Sequence, residues 1–181
     1  METPAEMSNP SPSPQRADPS LYSRRRARES ALQVLYGLDW VAGDPAAAIE
    51  DYWAKFAGEK PDGYPEVRRH GEELVHGVIN RRAELDQRLQ ATSHHWKLDR
   101  MSVVDRNILR LAAFELLFMA ESVPRKVVIN EAIEIAKKFG NEDSGAFVNG
   151  ILDRIAQERG SSAVDEAVRI PVRPRKSAPK A

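Results

Sequence analysis

Apolar residues recur along most of this chain at three- and four-residue spacing, the period of helices packed on one face, and no run alternates convincingly as a strand would. The densest stretch, Val104 to Met119, puts Val104, Ile108, Leu111, Ala112 and Leu116, with Leu109, Phe114, Leu117 and Phe118, on almost every side of a helical wheel. Such a helix has to be surrounded by others, so it is expected at the centre of the fold. Asp105, Arg106, Arg110 and Glu115 interrupt it long before the roughly twenty apolar residues of a membrane span. A soluble protein is implied.

The flanking pattern predicts further helices. The first begins at Ser23, has Ala27, Ala31, Val34, Leu35 and Leu38 at helical spacing, and stops at Gly43-Asp44-Pro45. The second, Pro45 to about Phe56, buries Ile49, Trp53 and Phe56. Gly58 to Pro65 is turn-rich, and Pro65 suits the first position of a third helix with Val67, Gly71, Leu74, Val75, Val78 and Ile79 on one side. A break near Arg81-Arg82 follows, after which Leu85 and Leu89 continue the stripe toward Trp96 and Leu98. Beyond the central helix, Val123-Pro124 forces an extended link. The next helix places Val128, Ile129, Ala132, Ile133, Ile135, Ala136 and Phe139 on one face and Asn130, Glu131, Glu134, Lys137 and Lys138 on the other, with Gly140 as its C-terminal cap. Asn141 to Ser144 then open a last helix, with Phe147, Val148, Ile151, Leu152 and Ile155 at helical spacing, which Gly160-Ser161-Ser162 ends.

Length and charge refine this picture. With 181 residues, 41% of them hydrophobic, the chain can bury one core, in one domain or in two small subdomains that share it. The absence of cysteine excludes disulfides and thiolate chemistry and suits a reducing cytoplasm, where the lack of a secretory signal also places the protein. Residues 1–22, rich in proline, read as a disordered tail, and residues 159–181 as a flexible basic one. Formal net charge is zero, but Arg24, Arg25, Arg26 and Arg28 form one basic block, and Arg169, Arg173, Arg175, Lys176 and Lys180 another.

The search for catalysis returns almost nothing: no glycine-rich phosphate loop, no paired-histidine zinc motif and no turn for a nucleophilic serine. No catalytic residue, metal or cofactor is expected, and His70, His76, His94 and His95 read as surface or satisfied histidines. The arginine block is different because it opens a helix, along which Arg25, Leu32 and Tyr36 share one edge. Guanidinium forks grip phosphates and a tyrosine ring can stack an unpaired base, the makings of a single-stranded nucleic-acid surface. A solvated helix start is the competing reading. Arginines at a helix N-terminus oppose its dipole, however, a penalty that an external anion relieves. On the last helix Asp143, Phe147, Gly150 and Arg154 share a stripe, with Phe147 at the margin of the apolar face, either as core or as a second stacking surface. Glu115 falls inside the dry arc of the central helix and needs a partner there, as a core carboxylate rather than a catalytic one.

Three segments, RRRARESALQVLY, WKLDRMSVVDRNILRLAAFEL and VPRKVVINEAIEIAKKFGNEDSGAFVNGILDRIA, closely resemble the bacterial transcription antitermination factor NusB family. The resemblance is clear over Ser23 to Ala156, weaker from Asp44 to Thr92 and absent from both tails. It implies an all-α fold of about seven helices in a domain over residues 23–158, made of two packed helical subdomains, 23–92 and 93–158, sharing the central helix. It also implies a non-enzymatic role: pairing with NusE, a protein of the small ribosomal subunit, and binding single-stranded boxA RNA so that the transcription elongation complex resists termination on ribosomal RNA operons. By position, Arg24, Arg25, Arg26, Arg28 and Tyr36 match the family's RNA-binding helix. Asp143 and Phe147 match a second RNA-side element, bordered by Lys126 and Asn130, and Asp105 matches an acidic position on the NusE side. Arg125, where some relatives carry Tyr, and the two tails depart from the pattern. A ribosomal RNA methyltransferase carries a similar domain ahead of a catalytic one; here only a proline-rich tail follows Ala156, which leaves no room for a methyl-donor site. A helical adaptor that binds only protein is the other alternative.

Overall fold

The computed structural model describes residues 19–41, 43–55, 64–93 and 96–168, so the expectations for Phe56, His94, His95 and most of both tails lie outside the described residues. Within them the secondary structure is helical: α1 Pro19–Trp40, α2 Pro45–Lys55, α3 Tyr64–Asn80, α4 Arg82–Thr92, a 3-10 turn Leu98–Arg100, α5 Val103–Phe118, α6 Arg125–Phe139 and α7 Ser144–Val168. The elements and their order match the periodicity. Two ends differ. α1 starts at Pro19 rather than Ser23, since proline's fixed φ suits a first helical turn. α7 passes through Gly160 to Val168, because glycine costs a helix only about 1 kcal/mol and does not oblige it to stop.

α5 is the hub, packed against α1, α3, α4, α6 and α7. Ser102 caps it, its Oγ accepting the Asp105 N–H at 3.0 Å, and every residue from Asn107 to Leu116 is buried. One apolar cluster joins Ala27 of α1 to Ala156 of α7 through this helix. Close helix approaches depend on glycine. At Gly71 an added Cβ would lie 3.2 Å from the Trp53 ring and 3.3 Å from the Ala27 carbonyl, while at Gly77 it would lie 2.1 Å from the Phe114 ring. Gly140 does cap α6, but in an extended conformation (φ −91°, ψ −163°). What demands glycine there is space, since a Cβ would lie 2.4 Å from Ser144 Oγ.

Some sides of helices differ from expectation. Leu32 is buried, so the Arg25–Leu32–Tyr36 edge is not continuously exposed, and Phe118 is exposed, with the Arg81 guanidinium stacked 4.0 Å over its ring. Trp96 leaves the core stripe altogether and stands in solvent, because the chain turns at Ser93 before the helical period can carry it inward. Glu131, expected on the polar face of α6, is buried beneath two arginines. Among the described residues no helix is long and apolar enough to cross a membrane.

Candidate nucleic-acid interface

The arginine block divides by its position on the α1 wheel. Arg28 points inward and is 3% exposed, its fork closing on Glu115 (Nε to Oε2 2.8 Å, Nη2 to Oε1 2.7 Å). This corrects its assignment to the surface: Glu115, 1% exposed, needs a cation, and Arg28 supplies it. Arg24, one turn earlier, remains exposed and donates to the Ser122 carbonyl at 3.2 Å. Arg25 forks onto Glu131 at 2.8 and 2.6 Å, and that hydrogen bond raises its pKa while leaving its outer edge in water.

α1 and α6 are tied by long side chains across a cleft of about 740 Å³, lined by Arg25, Arg26, Glu29, Glu134, Lys137 and Lys138. Lys138 crosses it to Glu29 at 2.8 Å, and Lys137 pairs with Glu134 at 2.8 Å. Asn130 and Lys126, both exposed, extend the α6 wall at four-residue spacing from Glu134. Cations outnumber carboxylates along this track. The sequence pattern places Lys137 and Lys138 only on a polar face; for Lys138 the signal is its pairing with Glu29, 109 residues away, which no local pattern contains.

Tyr36 is brought elsewhere. It lies three helical turns, about 16 Å, beyond Arg25, 42% exposed, and its ring tilts against Trp40, 6.1 Å away and 68% exposed. Beneath this pair Asp39 accepts from Asn107 Nδ2 at 2.9 Å and Arg82 Nη2 at 2.7 Å, joining the end of α1 to the start of α5. Burial pushes the Asp39 pKa up, but the Asn107 hydrogen bond and the Arg82 and Arg110 charges outweigh it and hold the carboxyl below its ordinary value. Asp105 sits at the same end, mostly buried, with Oδ1 lacking a hydrogen-bond partner.

Asp143 and Phe147 occupy a third place. Asp143 is exposed ahead of α7, its N–H held by Asn141 Oδ1 at 3.0 Å, and the half-buried Phe147 meets Trp96 edge to face. Of the histidines, His76 is exposed and His70 buried, with Nε2 unpartnered 4.0 Å from Glu115 Oε1 and Nδ1 3.5 Å from Glu73.

Residues 25–157 match the NusB family. A transcription antitermination protein NusB of Myxococcus xanthus is 50% identical over 134 residues, 74% of this chain and 94% of that protein. One from Geobacter sulfurreducens is 47% identical over 134 residues, again 74% of this chain and 94% of that protein. Among solved structures, T. maritima NusB has 38% identity and a TM-score of 0.66, covering 75% of this chain and 91% of its own. The crystal structure of antitermination factors NusB and NusE in complex with dsRNA has 27% identity and a TM-score of 0.66, covering 76% of this chain and 98% of that one.

Proposed function

This chain belongs to the NusB family of transcription antitermination proteins, and from that premise we propose how its surface divides between RNA and a protein partner. Its work is to bind RNA together with NusE, as its relative does in the complex with both, and not to catalyse a reaction. The RNA it takes is single-stranded boxA, met in the cytoplasm as the transcript leaves the elongation complex.

Arg24, Arg25 and Arg26 of α1, with Lys126 and Asn130 of α6, hold the RNA backbone. The observation that carries this is the cleft in which Arg25 and Arg26 face Lys137 and Lys138. Phosphates arriving there displace exposed, weakly held carboxylate pairs and release counterions. Arg28 contributes by neutralising Glu115 beneath the surface. Tyr36, with Trp40, reads better as part of the NusE face beside Asp105 than as an RNA stacking ring: an exposed aromatic pair three turns from the arginines is the composition of a protein interface core. The experiment is titration of boxA RNA at several salt concentrations, alone and with NusE. Binding strengthened by NusE and weakened by salt supports this function, whereas affinity indifferent to both removes it.

A further inference from the structure

Glu131 lies on the core side of α6, between the buried Val128 and Ile135, and its side chain is 11% exposed. From there it reaches α1, where Arg25 and Arg28, three residues apart, share one side of the helix. Arg25 grips it edge-on, Nε donating to Oε2 at 2.8 Å and Nη2 to Oε1 at 2.6 Å. Arg28, whose Nε and Nη2 are committed to Glu115, brings its Nη1 to 3.9 Å from Oε2. Glu131 is therefore held from beneath by a buried guanidinium, and it holds in turn one whose side chain is 45% exposed. A fork taken through Nε and Nη2 leaves the Nη1 edge of Arg25 pointing away from the carboxylate, with donors free for a second acceptor.

We propose that Glu131 is the positioning residue of the cationic cleft: it fixes Arg25 in one orientation, presents the free guanidinium edge to an RNA phosphate, and stays bound to Arg25 when the RNA arrives. This role rests on the reading that Arg25 faces RNA, and adds to it the residue that sets the guanidinium's orientation. It is the opposite of what charge alone implies, since a carboxylate beside a phosphate site repels the ligand. Burial decides between the two. Stripping Arg25 away would leave a buried carboxylate with Arg28, 3.9 Å distant, as its remaining ion pair among the described residues, which is a costly exchange. Lys137 and Glu134, in the same cleft, are both about half exposed and separate at little cost, so their pair opens first. A long side chain already fixed in its bound orientation also loses less entropy on meeting its ligand.

The test is a double-mutant cycle with the full chain, purified NusE and single-stranded boxA RNA: parent, Glu131→Gln, Arg25→Ala and the two together. Glutamine keeps the side-chain shape but removes the charge and turns one acceptor of the fork into a donor. Glu131→Gln should weaken RNA binding roughly two- to tenfold, the ordering cost of one long side chain, although it removes a negative charge from the face. In the Arg25→Ala background the same substitution should weaken nothing further. Stronger or unchanged binding by Glu131→Gln makes the carboxylate a competitor or a bystander and overturns the role, and an equal loss in both backgrounds makes it merely structural and overturns it too. The parent chain supplies a second readout that needs no folded Glu131 variant. Its Arg25 Nε–H resonance, assigned by its absence from Arg25→Ala, should stay hydrogen-bonded and slow to exchange with RNA bound; loss of that protection on adding RNA overturns the role. If Arg24→Ala and Arg26→Ala weaken RNA binding while Glu131→Gln or Arg25→Ala does not, the positioning role falls and the RNA reading stands. If no substitution at Arg24, Arg25 or Arg26 changes RNA affinity, both fall.

Discussion

At the scale of single residues, the pair Arg28–Glu115 explains why a helix that opens with arginines also belongs to the core. Glu115→Ala leaves the Arg28 guanidinium buried, with Glu131, 3.9 Å away, as its remaining ion pair among the described residues. The expected cost is about 3–5 kcal/mol in chemical denaturation, the value for removing one member of a buried ion pair; a loss under 1 kcal/mol would mean that Arg28 swings out to water. That Glu115 is dry was legible from its place on the wheel. Its partner was not, because Arg28 lies 87 residues earlier and has the same local sequence signature as its exposed neighbours. His70 adds a pH dependence. Burial lowers its pKa from the ordinary value of 6.5, against the opposing pull of Glu115, with Arg28 and Arg24 lowering it further and Glu73 raising it. The unfolded chain therefore binds the proton more readily, so stability is full above about pH 6.5 and falls as pH drops toward the folded-state value. His70→Gln should flatten melting temperature between about pH 5 and 7 relative to the parent. Equal slopes would assign the acid sensitivity to other groups.

At the scale of elements, the helices were legible because their apolar periods are long and regular, and the misreadings fell where packing overrides period. Trp96 follows a turn that resets the register. Glu131 sits on a polar face that another helix happens to cover. Gly77 carries no distinguishing signal in the sequence, yet it admits the Phe114 ring between α3 and α5. Gly77→Ala should destabilise by roughly 1–3 kcal/mol through overpacking, even though alanine favours the helix by about 1 kcal/mol. Gly37 of α1, where an added Cβ meets nothing within 4 Å, is the control. Gly37→Ala should gain up to about 1 kcal/mol from helix propensity alone. Denaturation midpoints of the two variants moving in the same direction would contradict this account of the α3–α5 contact.

At the scale of the whole molecule, the two proposed surfaces lie toward opposite ends of α1: the cationic cleft between α1 and α6, and the aromatic end where Tyr36 and Trp40 stand over Asp39. The arginine block announced the first in the sequence, although Lys137 and Lys138 became part of it only when the chain folded. At the second, the sequence assigns Tyr36 to RNA and Asp105 to the partner; that the end of α1 closes onto the start of α5, through Asp39 and Asn107, is invisible to local spacing. Tyr36→Ala should leave stability and binding of RNA alone within about 0.5 kcal/mol of the parent, while weakening NusE capture by roughly 1 kcal/mol or more in calorimetric titration. Unchanged NusE affinity with weakened RNA binding would return Tyr36 to the RNA face. The most direct test of the central claim is the salt dependence of boxA RNA binding to the NusE complex, measured for the parent and for the triple variant Arg24→Ala, Arg25→Ala, Arg26→Ala. The variant should keep the parent's fold, at some cost in stability because Glu131 loses its Arg25 fork, bind more weakly, and lose about 0.7 from the logarithmic salt slope for each phosphate contact removed; an unchanged affinity and slope would contradict an RNA interface at the start of α1.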